Sequence, residues 1–273
     1  MQLTLLGTGS PAPNPLRGGP SEHLQIGPTS MLVDCGSGVV RRMVEANLAP
    51  KDIDYIFFTH QHSDHTIDFA HVLIMGWIAG RTKPVTVVGP PGMKEFVQRL
   101  LHAFEWDIKM RHLEERVGAR VLEVPVREIG HGEEILGEGW QAKAIGVNHG
   151  HVSPALGYRF EDGDQTIVLS GDTAPSDALI EAAAGADVMV HELMGALIDR
   201  DVHTPGVELT PWQQIVAASH TCVHQVGAVA HRSGVPKLVL NHLPVRPDEE
   251  WVYKTIRADY GGEVVLGHDL LRV

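Results

Sequence analysis

The segment Thr59-His60-Gln61-His62-Ser63-Asp64-His65 places four nitrogen and oxygen donors within six positions. Imidazole and carboxylate are the side chains that hold zinc and similar divalent ions. The segment follows an apolar run, DYIFFT at 54–59, that reads as a buried strand. In extended chain, residues two apart face the same way, so His60 and His62 can reach one ion together. Asp64 and His65 come where the chain must turn and can face a second ion beside it. Four such donors straight after a buried strand are costly unless something pairs them. The same placement recurs three times. His149 follows a strand-like run at 141–147, Asp172 follows one at 166–169 within Ser170-Gly171-Asp172-Thr173, and His242 follows one at 237–240. A lone strand-end histidine is more often structural than ligating. Recurrence at the position of the first cluster is what makes these three candidate ligands.

Apolar runs alternate with Gly/Pro punctuation along the elements that must carry these donors. Strands are expected at 2–7, 30–34, 54–59, 85–88, 120–126, 141–147, 156–160, 166–169, 188–191, 237–241 and 263–266. A short helix is expected at 39–47 after the Gly36-Ser37-Gly38 turn. A longer one is expected at 94–115, with Val97, Leu101, Phe104 and Ile108 on one side, and another at 177–184, closed by Gly185. Thr210-Pro211-Trp212-Gln213 is a helix start, with Thr at the N-cap, Pro at N1 and Gln at N3, and a second helix follows that ends at Gly234. In both halves strands come first and then mix with helices. That order points to an α/β fold of two mixed sheets flanked by helices. No repeat, low-complexity tract or linker interrupts it, so residues 1–273 read as a single domain.

Composition narrows the function classes. No apolar segment approaches the roughly 20 residues of a membrane helix. No basic N-terminus precedes an apolar stretch, so a soluble, cytoplasmic protein is expected. Cys35 and Cys222 form no disulfide framework, which fits a reducing compartment. The net charge of −12 repels phosphate backbones and argues against a nucleic-acid substrate.

The THxHxDH segment, His149, the Gly171-Asp172-Thr173 run and Asn241-His242 are similar to the metal motifs of the metallo-β-lactamase superfamily. Further segments resemble the branch of it that holds ribonuclease Z and a group of metal-dependent arylsulfatases. These are Leu6-Gly7-Thr8-Gly9-Ser10 with Pro15, Arg17 and Gly19-Pro20-Ser21, the run from Leu32-Val33-Asp34-Cys35-Gly36 to Arg42, and Gly157-Tyr158-Arg159. Val190-His191-Glu192 and His220-Thr221 with Gln225 belong with them. The match runs from about residue 3 to 245. It implies a four-layer αβ/βα sandwich and two divalent ions, zinc above all, with manganese or iron admitted by the all-nitrogen-and-oxygen ligand set.

By that resemblance His60, His62 and His149 hold the first ion, Asp64, His65 and His242 the second, and Asp172 bridges both. His151 is the alternative to His149 if spacing is counted back from Gly157-Tyr158, and is otherwise a substrate or supporting residue. The implied nucleophile is a hydroxide shared by the ions, with Asp64 holding its proton. His220 is the candidate acid for the leaving group, and helix capping is its structural alternative. Glu192 is expected to accept an N–H from a histidine of the site. Asp34 is read as a buried structural acid beside the ligands rather than a ligand. Arg17 either meets an anionic substrate or braces its loop, and Phe104 and Trp106 either cap the site or pack in the core.

Ribonuclease Z carries a long arm between its GYR and GDT motifs. Here only the ten residues 160–169 separate Arg159 from Ser170, and Asp162-Gly163-Asp164 reads as a hairpin turn. With the acidic charge, this leads to an expected hydrolase of small anionic esters, aryl sulfates or phosphates, with no nucleic-acid or membrane partner and a homodimer left open. The alternatives are a ribonuclease Z-like or cyclic-nucleotide phosphodiesterase, a lactonase or thioesterase, and a non-catalytic metal-binding scaffold.

Overall fold

The computed structural model describes residues 1–115, 122–244 and 247–273. In chain order its strands are β1 Gln2–Gly7, β2 Ser21–Ile26, β3 Thr29–Val33, β4 Tyr55–Phe57, β5 Thr86–Gly89, β6 Val126–Glu128 and β7 Glu134–Gly137. They continue as β8 Trp140–Gly146, β9 Leu156–Glu161, β10 Thr166–Leu169, β11 Val188–Glu192, β12 Lys237–Asn241, β13 Glu263–Leu266 and β14 Leu271–Arg272. The chain divides into two compact units. The first is Met1–Gly7, Gly18–Ile129 and Asp269–Val273, and the second is Thr8–Arg17 and Gly130–His268.

The first unit holds a seven-stranded sheet in the order β14-β1-β2-β3-β4-β5-β6. Pairing is antiparallel from β14 to β3 and parallel from β3 to β6. Its helices are α1 Val39–Glu45, α2 Ser63–Thr66, α3 Phe69–Ile78, α4 Met93–Ala103 and α5 Glu105–Glu115. α1 and α3 bury Val39, Val40, Met43, Phe69, Val72 and Trp77 with Ile56 and Phe58 in one core. Two backbone approaches explain the Gly-rich signature beside this sheet. A Cβ on Gly36 would lie 2.3 Å from the Gly19 carbonyl carbon, and one on Gly19 would lie 2.5 Å from the Ser37 nitrogen. Only glycine allows that contact.

The second unit repeats the plan with a sheet in the order β13-β12-β11-β10-β9-β8-β7. It is antiparallel from β7 to β10 and parallel from β10 to β13. Its helices are α6 Asp177–Ala183, α7 Asp199–Val202, α8 Pro211–Ser219, α9 Val223–Ser233 and α10 Glu249–Ile256. Leu179, Ile180, Val226, Val229, Ala230, Val252 and Ile256 pack on Met189, Leu238 and Leu240 as its core. β9 and β10 form a tight hairpin. Asp162 Oδ1 accepts the N–H groups of Asp164, at 3.1 Å, and Gln165, at 2.9 Å.

Each sheet is therefore mixed and carries helices, as the order of elements predicts. The helix start at 210 also matches. Thr210 Oγ1 accepts the Gln213 N–H at 3.3 Å, and Gln213 Oε1 accepts the Thr210 N–H at 2.9 Å, closing a capping box. Three readings need correction. The helix expected at 94–115 is two helices that meet at Phe104, which is 39% exposed while Val97 is buried. No glycine or proline marks the break, so apolar spacing alone runs through it. α3 was not expected at all, because FAHVLIMGWI is apolar on every side and has no stripe to read. The strand expected at 120–126 lies partly outside the described residues, its described part at 122–125 is not strand, and β6 begins only at Val126. Among the described residues no helix is long and apolar enough to cross a membrane.

Candidate metal centre

Both units collect donors at the carboxyl ends of strands, most of them in the parallel part of each sheet, where side chains of neighbouring strands converge. In the first unit Asp34 follows β3 and Thr59-His60 follows its parallel neighbour β4. The chain then turns through His62, the N-cap of α2, which brings Asp64 and His65 into the first turn. The His60 ring lies 4.7 Å from the His62 ring and 4.3 Å from the His65 ring, centre to centre. His65 Nε2 is 3.6 Å from Asp64 Oδ2. His60 and His65 are buried and His62 is exposed.

Asp34 organises this cluster. Its φ of 59° is left-handed, a conformation aspartate tolerates better than most residues. Its Oδ2 accepts the His65 Nδ1–H at 2.7 Å and the Thr59 hydroxyl at 2.8 Å, and its Oδ1 accepts the Thr59 N–H at 2.9 Å. Because that hydroxyl donates to Asp34, its oxygen accepts the His60 Nδ1–H at 2.9 Å. Both imidazoles are thus fixed as Nδ1–H tautomers, with the Nε2 lone pair available to a metal ion. Asp34→Asn is expected to weaken divalent-ion binding by about 10–100-fold, the usual loss when such a support is removed. Competition against a fluorescent zinc chelator measures it. Unchanged affinity would show that Asp34 only braces the loop.

In the second unit His149 lies after β8, Asp172 after β10, and His242 directly after β12 with φ 52°. Asp172 Oδ2 is 3.8 Å from His149 Nε2 and 3.4 Å from His242 Nε2, so the carboxylate stands within reach of both rings. The Ser219 carbonyl accepts the His149 Nδ1–H at 3.0 Å. A carbonyl can only accept, so His149 also presents an Nε2 lone pair. His220 ends α8, and ligand atoms of Asp172, His220 and His242 all lie within 4.8 Å of one another. Its ring does not turn back on the helix carbonyls as a cap would. Its Nδ1–H donates instead to Glu192 Oε1 at 2.9 Å. Glu192, at the end of β11, also accepts N–H bonds from Thr173 at 3.1 Å, Thr221 at 3.2 Å and Met194 at 2.7 Å. Four N–H donors hold its buried carboxylate in one orientation.

These donor sets fit divalent metal ions. They are imidazole nitrogens and carboxylate oxygens, mostly buried, and the tautomers of His60, His65 and His149 are set by hydrogen bonds on the far ring nitrogen. The other residues singled out from the sequence fall elsewhere. His151 is exposed and joins none of the donor groups among the described residues. Arg17 donates to Thr8 Oγ1 at 2.6 Å and to the Gly267 carbonyl at 2.8 Å, which braces its loop. Trp106 lies on α5, 74% exposed. The sequence reading missed Thr59 and Ser219. Thr59 adjoins a ligand candidate and was open to notice, but a backbone carbonyl 70 positions from the ring it holds leaves no trace in sequence.

A family model described as the beta-lactamase superfamily domain matches residues 29–243. A protein named Ribonuclease Z from Mycobacterium bovis (strain BCG / Pasteur 1173P2) is 34% identical over 281 residues, covering 100% of this chain and 98% of that protein. Another of that name from Mycobacterium sp. (strain KMS) is 37% identical, with 100% and 95% covered. Among solved structures, the metallo-beta-lactamase fold protein YhfI from Bacillus subtilis matches with a TM-score of 0.77 at 18% identity over 100% of this chain and 98% of that one. The short form of human tRNase Z matches with a TM-score of 0.72 at 20% identity and the same coverage.

The relatives correct two expectations. A small aryl sulfate or phosphate ester as substrate, and the exclusion of nucleic acid, do not stand against full-length relatives named Ribonuclease Z. Both expectations leaned on the missing arm and on net charge. The β9–β10 hairpin is indeed short. Yet 281 aligned positions against 273 residues leave the M. bovis relative no room for a long arm either. Net charge sets the far field and leaves the groups that bind phosphate inside a site undetermined. The chain is a metal-dependent hydrolase, and it belongs to the metallo-β-lactamase superfamily, in the branch that holds its ribonuclease Z relatives.

Proposed function

We propose that this protein is a ribonuclease Z-like phosphodiesterase that hydrolyses a phosphodiester bond of precursor tRNA. The observation that carries the reading is the 34–37% identity, over the whole chain, to proteins of that name. The two donor clusters support it. We assign His60, His62, Asp64 and His65 in the first unit, and His149, Asp172 and His242 in the second, as ligands of two divalent ions, with zinc the ion of choice for tetrahedral nitrogen and oxygen sites. When bound, such ions neutralise phosphate charge and activate water near neutral pH.

The chain's own groups then have separate tasks. Asp64, half-buried and 3.6 Å from His65, accepts and orients the proton of the attacking water. His220 gives a proton from Nε2 to the departing ribose oxygen. Glu192 accepts the opposite Nδ1–H and fixes the orientation of the ring. The clusters also answer the charge problem of an acidic protein acting on RNA, because bound cations supply locally what the −12 overall charge lacks.

The test is cleavage of a precursor tRNA bearing a 3′ trailer, with zinc-loaded protein at physiological salt. Cutting at one site next to the acceptor stem, abolished by chelation and restored by zinc, is expected. Turnover of aryl sulfates or cyclic nucleotides with intact precursor left over would refute the assignment.

A further inference from the structure

We infer that the second unit carries an additional divalent-cation site, built from Asp199, His203 and His224, that shares no residue with the clusters above. Asp199 is the first residue of α7, and His203 ends that helix one turn later, with its N–H donating to the Asp199 carbonyl at 3.2 Å. His224 is the second residue of α9. The Asp199 carboxylate is fully buried, while the two imidazoles are 41% and 39% exposed. One ligand atom from each residue lies within 4.8 Å of the others. The two rings are 4.1 Å apart and tilted by 49°. Asp199 Oδ2 contacts His224 Nδ1, and Asp199 Oδ1 is 3.6 Å from His203 Nε2.

The second of these separations is too long for a hydrogen bond. It is close to the spacing of two ligands around one tetrahedral ion, roughly 3.3 Å for bonds of about 2.0–2.1 Å. Charge is compatible with the same reading. Asp199 accepts hydrogen bonds from the His224 Nδ1–H and, at 3.5 Å, from the His224 backbone N–H, and its ionic partners among the described residues are these two imidazoles. The nearby Arg200 is committed to Asp248 at 2.7 Å and to the face of Trp251. Three protein donors, one buried and two at the surface, leave a fourth position open to solvent. That arrangement suits zinc or another imidazole-seeking first-row divalent ion over calcium or magnesium, which prefer all-oxygen sites.

The test compares zinc content by elemental analysis after loading and desalting. His203→Ala and His224→Ala are each expected to hold about one ion fewer than the wild type, with RNA cleavage unchanged. His231→Ala, which removes another exposed histidine of α9, should keep the wild-type content. Asp199→Asn, which keeps the side-chain shape and removes the charge, should lose the same single ion even if the alanine variants fold poorly. The difference of one ion decides the matter whatever the total, so the result is independent of the dinuclear and RNA assignments. Equal zinc in the wild type, His203→Ala and His224→Ala would overturn the site and leave Asp199 as a buried acid that only orients His224.

Discussion

Replacing Asp172 by alanine is expected to reduce precursor tRNA cleavage by at least about 10³-fold, beyond the roughly 10²–10³ that loss of a single electrostatic contact costs. The reason is its position. One oxygen, Oδ2, lies 3.8 Å from His149 Nε2 and 3.4 Å from His242 Nε2. Under the proposed assignment, a carboxylate within reach of both histidines would serve an ion beside each, so its removal would weaken both. Zinc content should fall from about two toward zero at the catalytic clusters, while far-UV circular dichroism stays native, because Asp172 follows β10 and contributes nothing to the apolar core. Asp172→Asn separates charge from shape. It keeps the volume and should still lose most of the activity. Full zinc content with native activity in either variant would remove Asp172 from the site.

His220→Ala has the next largest expected effect, a loss of about 10²–10⁴-fold on RNA, the range for removal of a general acid. The structure sharpens the prediction. The His220 Nδ1–H is held by Glu192, so Nε2 is the nitrogen that would serve a leaving group. A ribose alkoxide needs that proton, whereas p-nitrophenolate leaves without one. The variant should therefore cut bis(p-nitrophenyl) phosphate far closer to the wild-type rate than it cuts RNA, with zinc content unchanged. An equal loss on both substrates, with chemistry rate-limiting, would mean that His220 has another task. A parallel loss of zinc would identify that task as ligation, which its place within 4.8 Å of Asp172 and His242 also permits.

Much of this protein was legible before any fold was known. His60, His62, Asp64 and His65 announce themselves because a local motif needs only its own spacing and the strand before it. The β-rich alternation, the capping box at Thr210 and the hairpin at Asp162 are equally local. Substrate was not legible in the same way. A short hairpin and a charge count are absences and averages, and neither describes the groups that meet a phosphate.

Tertiary structure alone decided the remainder. Asp34 and His65 are 31 positions apart, and Ser219 and His149 are 70 apart, yet these pairs fix which ring nitrogen is presented to an ion. His149 and His151 have the same chemistry two residues apart, and only folding makes one buried beside Asp172 and leaves the other in solvent. The Asp199, His203 and His224 group joins α7 to the start of α9 across 25 positions. Sequence names which side chains can hold a proton or a metal ion. Which of their atoms does so depends on hydrogen-bond partners and burial, and those are set by segments that meet only when the sheets and helices pack.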